Sequence, residues 1–293
     1  MWGWLFLVPL IVMFSAFTVW PTVMSWWYAF FDWDGFGPPT DWVGLANFRE
    51  VLGSGSFWNA FWNSFTFSLG ALLIEFPLAL CLAMLLNNTL LRGRNLYRLA
   101  LFLPVVSTTA VIGLVIAVLL SPVGGVVNDA LLTIGLIDRP INFLGNPDVA
   151  LPTLIGIDIW KGFGITLIYW LAALQTVPKD LYEAAKIDGA SARQQLASIT
   201  IPVVMPIAAV ILILTFQRSL NTFDLVQAVT RGGPVFSTDV LPTYIYRYAF
   251  DSSFAAPRYG FASAVGVVFG LFTLLITLLQ SPVLLRRLKK SAS

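Results

Sequence analysis

Six long apolar stretches dominate this chain, and each is long enough to cross a lipid bilayer as a helix. A transmembrane helix needs about 20 mostly apolar residues, or about 17–25 when tilt is included. The stretches lie at roughly residues 2–28, 64–86, 99–121, 151–174, 203–223 and 260–282. The chain is therefore predicted to be an all-α, polytopic membrane protein with about six transmembrane helices, termed spans one to six.

Composition narrows the classes of function. Charged residues make up only 11% of the 293 residues, whereas a soluble domain is about 25% charged. A single cysteine, Cys81, and the absence of histidine exclude an internal disulfide and any histidine-based metal site or general base. No segment resembles the GxxxxGK[ST] loop that holds ATP phosphates. We predict a non-enzymatic chain with no metal site and no cofactor of its own, and a net charge of +2 gives no indication of nucleic-acid binding.

The distribution of lysine and arginine predicts the orientation in the membrane, because cytoplasmic loops carry an excess of both. One alternate set of loops has ten basic and three acidic residues, and the other has five basic and ten acidic. The basic set comprises residues 87–98, 175–202 and 283–293. Both termini are therefore expected in the cytoplasm. No loop is long enough for a separate folded domain, so residues 1–293 are predicted to form a single transmembrane domain.

The first third of the chain is predicted to contain a retained transmembrane helix and a short helix in the loop after it. Span one has no basic residue before it, unlike a signal peptide, and Trp2 and Trp4 favour a retained helix. A short helix is expected around Leu45–Val51, in the loop that follows.

The loop at residues 178–202 contains several helix-boundary signals. Pro178 suits the first turn of a helix, and Gly189 suits the left-handed residue that ends one. Ser191 and Gln194 have the spacing of a capping box, which starts a second helix. The pattern predicts two short helices at an angle, with the small residues Ala184 and Ala185 on a surface that another protein can approach. The alternative reading is a well-capped connector.

The same loop resembles the EAA loop of ABC importer permeases. The resemblance rests on Glu183-Ala184-Ala185, Asp188-Gly189-Ala190, Ile199 and Ile201-Pro202. It implies a coupling helix that docks on an ATPase subunit, with Glu183, Ala184, Ala185, Asp188 and Gly189 as the coupling residues. Leu196 departs from the pattern, because an aromatic residue is usual there.

Further stretches resemble the carbohydrate branch of that family, specifically the first permease of the maltose and glycerol-phosphate type. They are Val43–Phe48 with Phe57-Trp58, Arg92–Arg98 with Leu103-Pro104, Phe223–Leu225 and Thr230–Pro234. Arg231 replaces a usual glycine. The large external insertion and extra N-terminal helices of the enteric maltose permease are absent, which argues against assigning that protein's substrate to this chain.

The resemblance implies a type I importer permease fold in a bacterial cell membrane, and alternating access driven by ATP. The implied partners are a second homologous permease, two ATPase subunits that bind ATP and Mg²⁺, an extracytoplasmic solute-binding protein and the lipid bilayer. The implied function is import of a sugar or oligosaccharide. Two alternatives stay open: a permease for glycerol phosphate or another small polar solute, and an ion-coupled secondary carrier, which would need no ATPase.

Ionisable groups inside a span are costly, so they are candidate functional residues. In span four, Asp158 and Lys161 can neutralise each other at i,i+3, while Trp160 and Tyr169 can stack on a sugar ring or simply pack. Glu75, beside a proline in span two, is interpreted as a group that satisfies backbone at a kink.

Span five carries the strongest polar pattern. Gln217, Asn221 and Asp224 have i, i+4, i+7 spacing and are expected to share one helical face, with Arg218 beside them. Such a row of amide, guanidinium and carboxylate groups suits a hydroxyl-rich ligand. We predict that these four residues, together with Trp160, Lys161 and Tyr169, line the substrate path. The alternative is hydrogen bonding between helices.

Overall fold

The computed structural model describes residues 2–88 and 90–291, which form helices joined by short loops. Within these residues the only extended pairing is an isolated bridge between Phe31 and Trp42. The first helices are α1 (Trp2–Phe14), α2 (Trp20–Tyr28), α3 (Ala46–Gly53), α4 (Gly55–Gly70), α5 (Phe76–Asn87), α6 (Arg94–Val106), α7 (Thr109–Leu119) and α8 (Val126–Thr133). They are followed by α9 (Pro147–Gln175), α10 (Lys179–Ile187), α11 (Ala192–Gln195), α12 (Ile201–Leu220), α13 (Phe223–Val229), α14 (Leu241–Phe250) and α15 (Tyr259–Ser291).

Three π-helical segments connect consecutive α-helices, at Ser15–Val19, Ala71–Glu75 and Leu196–Thr200. Each ends two residues before a proline, namely Pro21, Pro77 or Pro202. Proline has no N–H to donate and its ring crowds the preceding turn, so the local hydrogen bonding must change there. The wider π turn continues the helix through this point. In the second segment it also sets the direction of the last residue, Glu75.

Five helical segments are long and apolar enough to cross a membrane, and one bent pair of helices can form a sixth span. The five are Phe6–Tyr28, Gly55–Asn87, Pro147–Gln175, Ala192–Val229 and Tyr259–Leu279. The prediction of about six apolar spans is therefore confirmed.

Span three is bent and is not one continuous helix. Helices α6 and α7 meet at an angle of 98°, because Ser107 and Thr108 both adopt extended backbone conformations. Pro104, one turn earlier, has already removed one helical donor.

Residues of this chain group into two compact units. The first contains residues 1–61 and 241–276, and the second contains residues 62–240 and 277–293. A single domain over residues 1–293 stays a prediction.

An aromatic core holds the first unit together. Buried Phe57, Tyr244 and Phe261 belong to one cluster, and the Asn47 side chain of α3 donates hydrogen bonds to the carbonyls of Ala29 and Phe31, at 2.9 and 2.8 Å. Helix α3 confirms the short helix expected around Leu45–Val51.

An ion pair at the surface of the same unit joins α3 to the start of α15. Arg258 donates two hydrogen bonds to the Glu50 carboxylate, at 2.6 and 2.7 Å. These hydrogen bonds hold the pKa of Glu50 below its ordinary value.

Helix α9 is central to the second unit. Its buried side chains Phe163, Leu167 and Trp170 pack in one cluster with residues of α5 and α12. The indole Nε1 of Trp170 donates to the carbonyl of Phe76 at 3.1 Å, which ties α9 to the start of α5. Helices α5 and α12 thus both pack against α9, and this packing positions the polar side chains on the other faces of α9.

In the loop after α13, one residue with a Cβ, Arg231, adopts a left-handed backbone conformation. Arg231 has φ of +52° and donates its N–H to the carbonyl of Val226 at 2.8 Å. A left-handed conformation costs a residue with a Cβ about 1–2 kcal/mol, and glycine is usual here in the family that the sequence resembles.

We expect Arg231→Gly to raise the free energy of unfolding by about 1 kcal/mol, because glycine adopts positive φ without that cost. Thermal unfolding of the purified chain measures the change. Arg231→Ala is the matched control, since it removes the charge but keeps the Cβ, and it should leave the midpoint unchanged. An equal gain from alanine would show that the charge, not the backbone, is responsible.

Candidate substrate site and coupling loop

An ion-pair cluster brings together three membrane-spanning segments. Arg218 of α12 contacts Glu75 with Nη2–Oε2 at 2.6 Å and Asp158 of α9 with Nη1–Oδ1 at 3.0 Å. Glu75 is fully buried and Asp158 is 5% exposed. Two buried carboxylates and one guanidinium therefore neutralise one another in part, which lowers the cost of placing charge inside a span.

Neutral hydroxyl groups complete the hydrogen bonding of both carboxylates. Thr166 donates to the second oxygen of Glu75 at 2.5 Å, and Ser219 donates to the second oxygen of Asp158 at 2.6 Å. Gly162 makes room for this arrangement, because a Cβ at that position would collide with the Arg218 guanidinium. The cluster is defined as Glu75, Asp158, Arg218 and these two hydroxyl groups. Each of its four carboxylate oxygens accepts one hydrogen bond.

The cluster corrects two interpretations of the sequence. Asp158 pairs with Arg218 and Ser219, so it does not neutralise Lys161. Glu75, interpreted as a partner for kinked backbone, instead accepts hydrogen bonds from Arg218 and Thr166. The sequence did contain a signal for the pairing of Glu75 with Arg218. Glu75 is the only charge in span two and Arg218 the only charge in span five, and pairing is the least costly arrangement for two such charges.

A cavity of about 200 Å³ lies beside the cluster, and most of the polar residues predicted for the substrate path line it. Its lining residues come from α6, α7, α9, α12, α13 and the turn between the last two: Val105, Thr109, Asp158, Lys161, Gly162, Ile165, Arg218, Asn221, Thr222, Asp224 and Leu225. Neither the Lys161 side chain nor the Asp224 side chain has a hydrogen bond or ion pair with another residue in the part of the chain that the structure describes. Their charges are thus available to a ligand, while that of Arg218 is not.

The prediction that Gln217, Asn221 and Asp224 share one face of one helix is wrong. Helix α12 ends at Leu220, with Asn221 as its C-cap, and Asp224 belongs to α13. Asn221 donates its side-chain N–H to the carbonyl of Gln217 at 2.9 Å, which is the local hydrogen bond that favours termination over continuation. Asn221 and Asp224 nevertheless line the same cavity.

Gln217 is held away from that cavity. Its side-chain Nε2 donates to Thr277 Oγ1 at 3.0 Å, and it is absent from the residues that line the space beside Lys161. This contact fits the alternative weighed for span five, a hydrogen bond between helices.

The two aromatic residues predicted for the path lie elsewhere as well. Trp160 is 50% exposed and lines a separate apolar cavity with Leu78, Pro104 and Phe163. Tyr169 packs against the buried cluster around α9. Successive residues on a helix point in directions about 100° apart, and here Trp160 and Lys161 line different cavities.

The loop at residues 178–202 folds as two helices joined by a tight turn. Helix α10 begins after Pro178, and Gly189, which follows the C-cap, has φ of +73°. Ser191 and Gln194 form the reciprocal capping box that starts α11. Each of these boundary signals in the sequence is confirmed.

Two side-chain contacts brace the turn, and the residues of the EAA-like pattern lie on its outside. The Tyr182 and Thr200 hydroxyl groups contact each other at 2.8 Å, and Gln195 Nε2 donates to the carbonyl of Ala190 at 2.8 Å. Glu183, Ala184, Asp188 and Gly189 are exposed and Ala185 is half-buried. Ile187, beside them, is 87% exposed, so the loop presents small, acidic and apolar groups together.

Comparison with known proteins identifies the family. The family described as "Binding-protein-dependent transport system inner membrane component" matches residues 75–290. This chain belongs to it. The match includes the ion-pair cluster, the polar cavity and the loop at residues 178–202.

Individual members of this transport family align with nearly the whole chain. The lactose transport system permease protein LacF of Rhizobium radiobacter is 34% identical over 280 residues, which is 95% of this chain and 92% of that protein. The trehalose/maltose transport system permease protein MalF of Thermococcus litoralis is 31% identical and covers 91% of this chain and 88% of its own. A chain in the crystal structure of a bacterial ABC transporter that imports the acidic polysaccharide alginate has a TM-score of 0.84 and 30% identity, over 97% of this chain and 94% of that one.

Proposed function

We propose that this chain is the transmembrane permease subunit of a bacterial ABC importer that carries an uncharged sugar or oligosaccharide into the cell. The observation that carries the proposal is that the family match, residues 75–290, contains both a polar cavity within the spans and an exposed, doubly capped coupling loop. The first feature suits a hydroxyl-rich ligand, and the second suits contact with another protein.

The charges around the cavity favour an uncharged sugar over glycerol phosphate. Arg218 already contacts two carboxylates, so Lys161 is the one lining cation without a partner among the described residues. Together Glu75, Asp158 and Asp224 outnumber the two cations by one charge. A phosphate group would add to this negative charge in a region of low dielectric, where like charges repel strongly. Hydroxyl groups, in contrast, can accept from Lys161 and donate to Asp224.

The partners follow from what the chain itself contains. The sequence contains no ATP-binding loop, and the family is one of binding-protein-dependent transporters. We therefore propose two ATPase subunits that bind ATP and Mg²⁺ as the energy source, with the loop at residues 178–202 docked on one of them. A cavity of about 200 Å³ is smaller than the about 300–1,000 Å³ of common ligand pockets, which fits half of a site completed by a second, homologous permease. The family description includes a binding protein, and an extracytoplasmic one would deliver the sugar.

The orientation follows from the loop charges. The basic loops, which include α10, lie in the cytoplasm, and both termini lie on that side of the plasma membrane. The cavity then lies between the coupling loop and the extracytoplasmic surface, where a binding protein releases its ligand.

Uptake by the assembled transporter tests the proposal. The chain is reconstituted with its second permease, ATPases and binding protein in vesicles, and uptake of radiolabelled lactose, maltose, trehalose and glycerol phosphate is measured with and without ATP. We expect ATP-dependent uptake of at least one of the sugars and none of glycerol phosphate. An ionophore should have no effect.

Two results would contradict this account in different ways. Uptake that needs an ion gradient and no ATP would identify a secondary carrier. ATP-dependent uptake confined to glycerol phosphate would keep the importer but reject the sugar.

A further inference from the structure

A second cavity, of about 480 Å³, lies between α6 and α9 on the side of the polar cavity that is nearer the coupling loop. Its lining side chains are mostly apolar, with Asn95, Arg98 and Gln175 providing polar groups. Gln175 is the last residue of α9, four residues before α10 begins. The cavity therefore opens near the coupling loop.

The two cavities lie in series along the same faces of α6 and α9. On α9, Lys161 and Ile165 line the first cavity, while Ile168, Ala172 and Gln175 line the second. Their spacing of three or four residues places all five on one helical face. On α6, Phe102 of the second cavity and Val105 of the first have the same relation.

A close approach of the two helices separates the cavities. A Cβ at Gly164 of α9 would lie 2.6 Å from the carbonyl oxygen of Leu101 and 2.8 Å from Cα of Phe102. Helices α6 and α9 therefore cross in backbone contact at Gly164. From that point the groove between them widens in both directions, into one cavity on each side.

The opposite faces of the same helices are apolar. Leu101 and Pro104 of α6 line a third cavity with Ile159, Trp160 and Phe163 of α9, and that cavity has no ionisable lining residue. Polar groups inside a membrane protein face water or other protein groups rather than lipid. The polar ends of the second cavity, and its position on the same helical faces as the charged cavity, thus favour a water-filled path along the groove. The opposite faces then contact lipid or protein.

Arg98 is one of the polar residues that line the second cavity. Its Nη2 donates to the carbonyl of Leu86 at 2.7 Å, which fixes the side chain at the end of α5. Its Nε is buried and has no hydrogen-bond partner among the described residues. A buried donor without a partner is uncommon, and it gains an acceptor from the path only if the side chain moves towards the cavity.

We propose that the second cavity is the inner vestibule of the substrate path, where the sugar contacts Asn95 and Gln175 after it passes the crossing at Gly164. The inference rests on the proposed function, since it names the inner part of the route that an importer needs. The vestibule takes the same uncharged, hydroxyl-rich ligand as the outer cavity. Phe102, at the inner side of the crossing, offers the apolar surface on which a sugar ring can stack.

Thiol accessibility in the reconstituted transporter tests this assignment. The parent is Cys81→Ser, which removes the single native thiol, and Ile168→Cys and Ala172→Cys place a thiol in the proposed vestibule. Ile159→Cys, on the opposite face of the same helix, is the matched control. The probe is a positively charged, membrane-impermeant methanethiosulfonate added from the cytoplasmic side of inside-out vesicles.

We expect both vestibule thiols to react at least about tenfold faster than Ile159→Cys, because a thiol in apolar surroundings is held in its unreactive neutral form. The adduct at Ala172→Cys should also block uptake. Equal rates at the three positions would overturn the assignment. So would modification of the vestibule positions only by a lipid-soluble maleimide, which would identify a lipid-covered groove.

Uptake by the wild-type transporter and by the Cys81→Ser parent separates this inference from the proposed function. Absence of ATP-driven uptake in the wild-type transporter would count against the importer, whatever the labelling pattern. A parent with normal uptake and unreactive vestibule thiols would leave the importer intact and reject the vestibule.

Discussion

Arg218→Met is expected to abolish accumulation of folded protein. The substitution leaves two buried carboxylates, Glu75 and Asp158, without their shared cation. Removing one partner of a buried ion pair costs about 3–5 kcal/mol, which is a large part of the about 5–15 kcal/mol that stabilises a typical protein. Size-exclusion chromatography of the detergent-solubilised chain, with thermal unfolding of any monodisperse fraction, measures the loss.

A triple variant is the control for this prediction. Glu75→Gln, Asp158→Asn and Arg218→Met together remove every charge of the cluster while keeping the side-chain volumes similar. The large cost of removing one partner comes from the buried charge that is left uncompensated, and the triple variant leaves no such charge, so most of the folded protein should return. If Arg218→Met were as stable as the wild type and failed only in uptake, Arg218 would be a substrate contact, as the sequence suggested, and the cluster would not be structural.

Glu183→Lys should abolish ATP-driven uptake without affecting membrane insertion or stability. Glu183 is exposed on α10 and forms no ion pair with any described residue, so its charge is available to a partner protein. We propose a basic group of an ATPase subunit as that partner. Like charges at an interface cost several kcal/mol, and each 1.4 kcal/mol is about tenfold in affinity. Copurification of the ATPase and uptake in reconstituted vesicles measure the effect.

Asp180→Lys provides the matched control, because it makes the same charge reversal in the first turn of the same helix. It should retain the ATPase and most of the uptake. Normal uptake by Glu183→Lys at normal expression, or equal loss in both variants, would contradict a specific coupling role for Glu183.

Local features of the fold were predictable from the sequence, because their causes lie within a few residues. The apolar stretches predict the spans, and Pro178, Gly189 and the Ser191–Gln194 pair predict where the helices of the coupling loop begin and end. A capping box or a left-handed glycine depends on neighbouring backbone groups only.

Features that depend on contacts between distant segments were not predictable in the same way. The partners of Arg218 lie 60 and 143 residues away in the sequence, whereas Lys161, the neighbour that helical spacing offered to Asp158, forms no pair with it. The end of α12 at Leu220 and the bend at Ser107 interrupt apolar runs whose composition continues beyond them. Hydropathy measures length and composition, and it contains no information on such breaks.

The sequence therefore predicted which polar residues inside the spans are candidates for the substrate site. It did not predict which of them lie together in one cavity. Lys161, Asn221 and Asp224 were selected because ionisable and amide groups are rare inside spans, and they do line one cavity. Trp160 and Tyr169 were selected for their chemistry alone, and they face other surroundings.

The central claim is that the cavity lined by Lys161, Asn221 and Asp224 binds the sugar, while the coupling loop transmits ATP hydrolysis. Uptake and ATPase activity, measured together on variants of the cavity and of the loop, test this claim most directly. The variants Lys161→Ala, Asn221→Ala and Asp224→Ala are compared with Glu183→Lys in the same reconstituted vesicles. The account predicts that the alanine variants lose about tenfold or more of uptake, as lost hydrogen bonds to charged groups of about 1.5–3 kcal/mol imply, while ATPase stimulation by the loaded binding protein persists. Glu183→Lys should lose both. Full uptake by all three alanine variants would contradict the account and show that this cavity is only structural.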